Sequence, residues 1–136
     1  MDFEECIKKR IAKEVSKDEE LINSLLKTSK NKLDSEMKLE LDDITSVSKI
    51  SLLYDSSREL LEALALKNGF KIYNHECYTY FLKEILNKGM ISEEFDDLRK
   101  IRNSINYYGK DISIQEAEDV LERMEYLRNK ILELLD

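Results

Sequence analysis

Proline and tryptophan are absent from the 136 residues, and glycine occurs only three times. Proline and glycine are the residues that cost most inside a helix, so almost nothing in this chain interrupts one. Cysteine is nearly as scarce. Cys6 and Cys77 stand far apart and match neither a disulfide framework nor a metal-binding cluster, and the expectation is two free thiols near apolar faces. The one histidine, His75, has no cysteine pair beside it, and the isolated glycines make no phosphate-binding loop. No metal and no cofactor are therefore expected, and no nucleophile triad is evident.

Long apolar runs are also missing. No stretch approaches the roughly 18 apolar residues of a membrane span, and the opening MDFEECIKKR lacks the apolar core of a signal peptide. The expectation is a soluble, cytoplasmic protein with no membrane partner. The net charge of -7 argues against a broad basic DNA-binding face, because such a face needs many Lys and Arg reaching phosphates. A local basic patch stays compatible with that charge.

What remains is helix-forming material: Leu, Ile, Lys and Glu in surplus, 42% apolar residues for a core and 38% charged residues for an outer surface. The length suits one domain, residues 1–136. Phe3, Cys6, Ile7 and Ile11 predict a helix over 3–14. Ser16 with Glu19 fits a capping box for a second helix that carries Leu21, Ile22, Leu25 and Leu26 and ends near Lys30, with SKNKLDS as a connection. From Ser35 to Asn68 apolar residues recur in steps of three and four, predicting about nine turns of unbroken helix stopped by Gly69. Along it Ser46, Ser48, Ser51, Ser56, Ser57, Ala63 and Ala65 are small enough for other helices to approach closely. GFKIYN reads as a connection, Asn74 as the N-cap of a helix over 75–87, Ser92 as the start of a helix ending at Gly109, and Ser113 with Glu116 as a capping box for the last helix. The fold class is all-α, an up-and-down antiparallel bundle of about five helices.

Polar side chains concentrate on one segment, RNSINYYG. Arg99 and Asn103, like Arg102 and Asn106, are four apart and so neighbours on a helix surface, followed by Tyr107 and Tyr108. A guanidinium offers a rigid fork of donors, so these residues form a candidate site for a phosphate or a planar polar group. The plainer reading is that they solvate the end of the helix and favour its dipole while the tyrosines pack.

The chain resembles the HEPN family of small helical domains commonly encoded beside nucleotidyltransferases. LYDSSRELLEALALKNGFKIYNHECYTYFL, residues 53–82, is similar to the family's long second helix, its glycine turn and the histidine that opens the next helix. LRKIRNSINYYGKDISIQEAEDVLERMEYL, residues 98–127, is similar to its Arg-Asn signature helix, glycine turn and final helix. The two stretches stand in the family's order and span most of the chain after Asp34.

The resemblance implies an HEPN-like homodimer in which Arg102 of each chain lines a shared groove. Ribonuclease members cut RNA without a metal, using an arginine followed by a histidine after four to six intervening residues. Here Arg102 and Asn103 match, but Tyr107, Tyr108 and Gly109 occupy the histidine's positions. A tyrosine near pKa 10 is a poor base at neutral pH, where a histidine near 6.5 exchanges protons readily. The leading expectation is thus a homodimer, without efficient catalysis, that binds a nucleotide, RNA or a partner nucleotidyltransferase. Its binding residues are Arg99, Arg102, Asn103, Asn106, Tyr107 and Tyr108. Some such partners transfer adenylate to a tyrosine, which makes Tyr107 and Tyr108 candidate acceptors. One alternative is a metal-independent endoribonuclease toxin of a toxin-antitoxin pair, using Arg102, Asn103 and Tyr107. Another is a structural interaction domain. His75 resembles a structural histidine of the family, and Arg58 is either an interface residue or a further contributor to the groove.

Overall fold

The computed structural model describes residues 1–108 and 111–136, without the side chains of Tyr107 and Tyr108. The expected helix stop at Gly109 lies outside the described residues. Six α-helices and one small two-stranded antiparallel sheet stand in the described chain: α1 (Phe3–Lys8), β1 (Ala12–Glu14), α2 (Glu19–Met37), α3 (Ser46–Lys67), β2 (Phe70–Ile72), α4 (His75–Tyr80), α5 (Gly89–Tyr108) and α6 (Ile114–Leu135). The all-α expectation holds at the level of class.

Local chemistry sets several boundaries where the sequence places them. Asn74 caps α4 by accepting from the Glu76 N–H, and Ser113 and Glu116 form a capping box at α6. Gly69 takes φ +87 just after α3, a conformation that carries no Cβ penalty in glycine.

Other boundaries differ. The first helix stops at Lys8, and Ala12–Glu14 instead pairs antiparallel with Phe70–Ile72, joining two segments taken for a helix end and a connection. Asp18 rather than Ser16 caps α2, accepting from the Leu21 N–H at 3.1 Å. The helix expected to end near Lys30 runs on to Met37, so the polar run SKNKLDS lies inside α2 and is not a connection. The long helix expected from Ser35 is broken between Met37 and Ser46, because Asp42 draws the Ile44 and Thr45 N–H groups to its own carboxylate at 2.8 Å. Ile44, counted in the apolar stripe, is consequently exposed. α4 passes into a wider π-helical turn over Phe81–Ile85, and α5 starts at Gly89 with Ser92 in its first turn, donating to the Thr79 carbonyl at 2.7 Å.

Residue pairs between helices fix their directions. Ser29 meets Ser56 and Glu36 meets Lys49, so α2 and α3 run antiparallel. Asp55 meets Arg102 and Ser51 meets Asn106, so α3 and α5 also run antiparallel. Ser56 meets Arg128 and Lys67 meets Leu135, which makes α6 parallel to α3. The expected spine is therefore α3, packed against α2, α5 and α6. Leu53, Leu60, Leu61, Phe81, Phe95, Leu98, Met124 and Ile131 form the core around it.

The two cysteines are not free thiols. Cys6 of α1 and Cys77 of α4 form a disulfide with their Cα atoms 6.3 Å apart, inside the usual span for such a bond. Their separation in sequence concealed this, because the β1–β2 pairing is what lays α1 against α4.

Candidate functional site

The helix α3 runs past α5 with Tyr54, Asp55, Arg58 and Glu62 on its polar side. Buried Tyr54 is the centre of the arrangement. Its ring stacks on Phe95 at 6.1 Å, its face carries the Arg102 guanidinium at 5.0 Å, and its hydroxyl lies 3.1 Å from His75 Nδ1. A guanidinium over a phenol ring is an attractive placement that leaves the N–H edges for other partners. Arg102 turns one of those edges to Asp55, Nη2 to Oδ1 3.6 Å.

Two more arginines frame this centre. Arg99 holds Asp96 through Nη2 at 2.8 Å, with Lys100 on the same carboxylate at 2.9 Å. Arg58 holds Glu62 at 2.9 Å, and Lys71 approaches the same carboxylate at 3.3 Å. The five cations outnumber the three carboxylates they pair with, in a chain whose net charge is -7. Glu59 also acts on Arg58, whereas around Tyr54 itself the charges of the cluster are three guanidiniums, Arg58, Arg99 and Arg102, and one carboxylate, Asp55.

Its protonation states follow from burial and these charges. Burial, then the nearby Arg58 and Arg102 cations, push the His75 imidazole down to about 4, so it is neutral at pH 7. Burial raises the Tyr54 hydroxyl to about 12 against the pull of Arg102 and Arg99, so it keeps its proton. Burial also raises Tyr78, the neighbour of Arg58. Around Asp96, burial opposes ionisation, but hydrogen bonds from Lys100 and Arg99 outweigh it and hold the carboxyl below its ordinary value.

Of the residues singled out in the sequence, Arg99 and Arg102 belong to this cluster, and so does Arg58. Asn106 faces Ser51 at 3.4 Å, at the rim. Asn103 is half-buried on the same helix. The side chains of Tyr107 and Tyr108 lie outside the described residues. Arg102 reaches Asp55 and Asn106 reaches Ser51, both on α3. Sequence reasoning passed over Tyr54, Asp55 and Asp96, and it treated His75 apart from the arginines. A signal existed: Asp55, Arg58 and Glu62 form a polar stripe at helical spacing on a helix otherwise rich in small and apolar residues.

The described residues thus define a mainly helical protein with a partly shielded cationic cluster, made where α3, α4 and α5 meet. Comparison with protein-family models, curated proteins and solved structures finds no match.

Proposed function

We propose that this chain is an HEPN-like helical domain whose Arg102 cluster binds a phosphate-bearing ligand, a nucleotide or an RNA end. A partner nucleotidyltransferase is the enzyme it would act with, and the working form is a homodimer. The observation that supports this reading is the gathering of three guanidiniums, Arg58, Arg99 and Arg102, against one carboxylate, Asp55, around Tyr54 and His75 in an otherwise acidic protein. An incoming phosphate would compete with Asp55 and Asp96 for donors that are already oriented, and it would gain charge-assisted hydrogen bonds there. Tyr107 and Tyr108, five and six residues after Arg102 in the sequence, are the candidate acceptors for a partner that transfers adenylate.

Fluorescence anisotropy with a labelled, 5′-phosphorylated RNA oligonucleotide tests the binding. Arg102→Ala is expected to weaken it by about tenfold or more, the scale of one lost charge-assisted bond. Equal affinity of the two proteins would remove the reading. Co-expression with a neighbouring nucleotidyltransferase adds a second test, in which the peptide holding Tyr107 and Tyr108 gains the mass of one adenylate.

One observation favours metal-independent RNA cleavage as the second reading. His75, remote from Arg102 in sequence, acts on the same Tyr54 ring, so the cluster holds a neutral imidazole although the expected motif histidine is missing. RNA cleavage lost in both Arg102→Ala and His75→Asn would support this version, and cleavage equal to background in the wild type would end it.

A further inference from the structure

A groove of about 550 Å³ lies between the start of α5 and the middle of α6, and none of Arg58, Arg99 and Arg102 belongs to its lining. Ile91 and buried Leu127 line it, along with Met90 and Tyr126, which are 85% and 59% exposed. Large apolar side chains left in water beside a concave surface mark a place where something docks. From Asp119 to Lys130 the α6 wall is about 16 Å long at 1.5 Å per residue, roughly three turns of helix.

The charges along the walls select the occupant. Arg123 is matched by Glu94 and Asp97, and Lys130 by Glu133, while Lys88 stands beside Met90 at the Lys130 end. Asp119 and Glu122, neighbours on α6 at the opposite end, take no ion pair among the described residues. The groove therefore has an apolar floor and an unanswered acidic rim. The phosphates of a nucleic acid or of an anionic lipid surface are repelled by such a rim. A second copy of the chain brings the same unanswered acids, and a neutral apolar molecule leaves them unanswered.

We infer that this groove receives a basic amphipathic helix of a partner protein. Its apolar face lies on Met90, Ile91, Tyr126 and Leu127, and its Lys or Arg residues meet Asp119 and Glu122. A helix docked in a groove in this way anchors itself through apolar side chains three and four residues apart, so about three turns suffice to follow the α6 wall. The inference rests on the groove alone and is independent of what the Arg102 cluster binds.

Fluorescence anisotropy of the full chain with labelled synthetic peptides of about 15 residues, long enough to form a helix, tests it. The first peptide carries Leu along one helical face and Lys beside it. The second has Glu in place of every Lys, and the third has Ser in place of every Leu. In about 0.15 M salt, where charges more than ~8 Å apart are largely screened, only the Leu and Lys peptide is expected to bind. Asp119→Lys with Glu122→Lys is expected to weaken it about tenfold or more, and Met90→Ser with Tyr126→Ser by a similar factor. Glu14→Lys with Glu20→Lys makes the same change of net charge outside the groove and should alter the affinity by less than about threefold. All the altered side chains are exposed, and circular dichroism verifies the helical fold of each variant. Equal binding of the Glu or the Ser peptide, an affinity unmoved by the Asp119 and Glu122 changes, or the same loss from the Glu14 and Glu20 changes would overturn the proposal. A wild type that binds none of the peptides would overturn it too, and a dimer that Tyr126→Ser dissociates would then assign the groove to a second copy.

Discussion

The Tyr54 hydroxyl and His75 Nδ1 lie 3.1 Å apart, linking the middle of α3 to the first residue of α4. The imidazole is held neutral to about pH 4 by burial and by Arg58 and Arg102, whereas in the unfolded chain it protonates near 6.5. Between these values the unfolded state binds more protons than the folded state. Stability from this group is therefore complete above about pH 6.5 and falls as the pH drops towards 4. The ring is partly open to solvent, which reduces the effect to about 1–2 kcal/mol. Denaturant titrations of the wild type and His75→Asn between pH 4 and 7 are expected to show a steeper acid loss for the wild type. Parallel curves would contradict the buried neutral imidazole.

The Lys49 ammonium sits in the turn between α2 and α3, 3.1 Å from the Glu36 carboxylate and within hydrogen-bond distance of the Glu36 and Leu39 carbonyls. Both side chains are almost fully buried. Lys49→Met removes the cation and strands the buried Glu36 carboxylate, while the Glu36 carbonyl keeps the Leu39 N–H as a partner. The expected loss is about 3 kcal/mol or more. Lys49→Met combined with Glu36→Gln should recover part of that loss, because the stranded charge is gone. Chemical denaturation of the single and double variants measures both values.

Arg128 makes a different kind of buried polar site. Its Nε donates to Ser56 Oγ at 2.8 Å and its Nη2 to Ser29 Oγ at 3.3 Å, and burial lowers its pKa. The two serines also bond to each other's backbone carbonyls at 2.7 Å, so they keep partners when the guanidinium is removed. Arg128→Met is expected to change stability by no more than about 1 kcal/mol, since it removes a desolvated cation and strands no charge. Thermal unfolding compared with that of Lys49→Met separates the two cases.

The Cys6–Cys77 bond closes a separation of 71 residues. Cross-linking across a loop of that length restricts the unfolded chain and contributes about 4 kcal/mol in the chain-entropy description. A reductant, or the pair Cys6→Ser with Cys77→Ser, is expected to lower the melting temperature clearly, and reduction should add the mass of two hydrogens. Two thiols that react freely in the native protein before any reductant is added would contradict it.

Much of the helical layout was legible because it rests on local chemistry. The Asn74 cap, the Gly69 turn and the Ser113–Glu116 box each depend on residues within one turn of one another, and they stand where the sequence places them. What escaped depends on distant partners. Ala12–Glu14 is a strand only because Phe70–Ile72 comes alongside, and Cys6 finds Cys77 only once that pairing is made. Asp42 could have been read as a breaker, since an aspartate two and three residues before free N–H groups competes with a helix. At the candidate site, Arg102 was visible as a charge on an amphipathic helix. Its partners Tyr54 and Asp55 come from another helix, and that placement arises from packing.

The chain's one histidine, His75, allows a direct measurement of the phosphate binding proposed for the Arg102 cluster. The His75 imidazole should give a single C2–H signal in proton NMR, expected to titrate near pH 4 in the free protein. A phosphate seated among Arg58, Arg99 and Arg102 offsets the charges that disfavour the imidazolium, so saturating ATP is expected to move the signal and raise its pKa towards the ordinary value. The same addition to Arg102→Ala should leave the signal nearly unchanged. A wild-type signal that neither moves nor changes its titration when ATP is added would contradict the account.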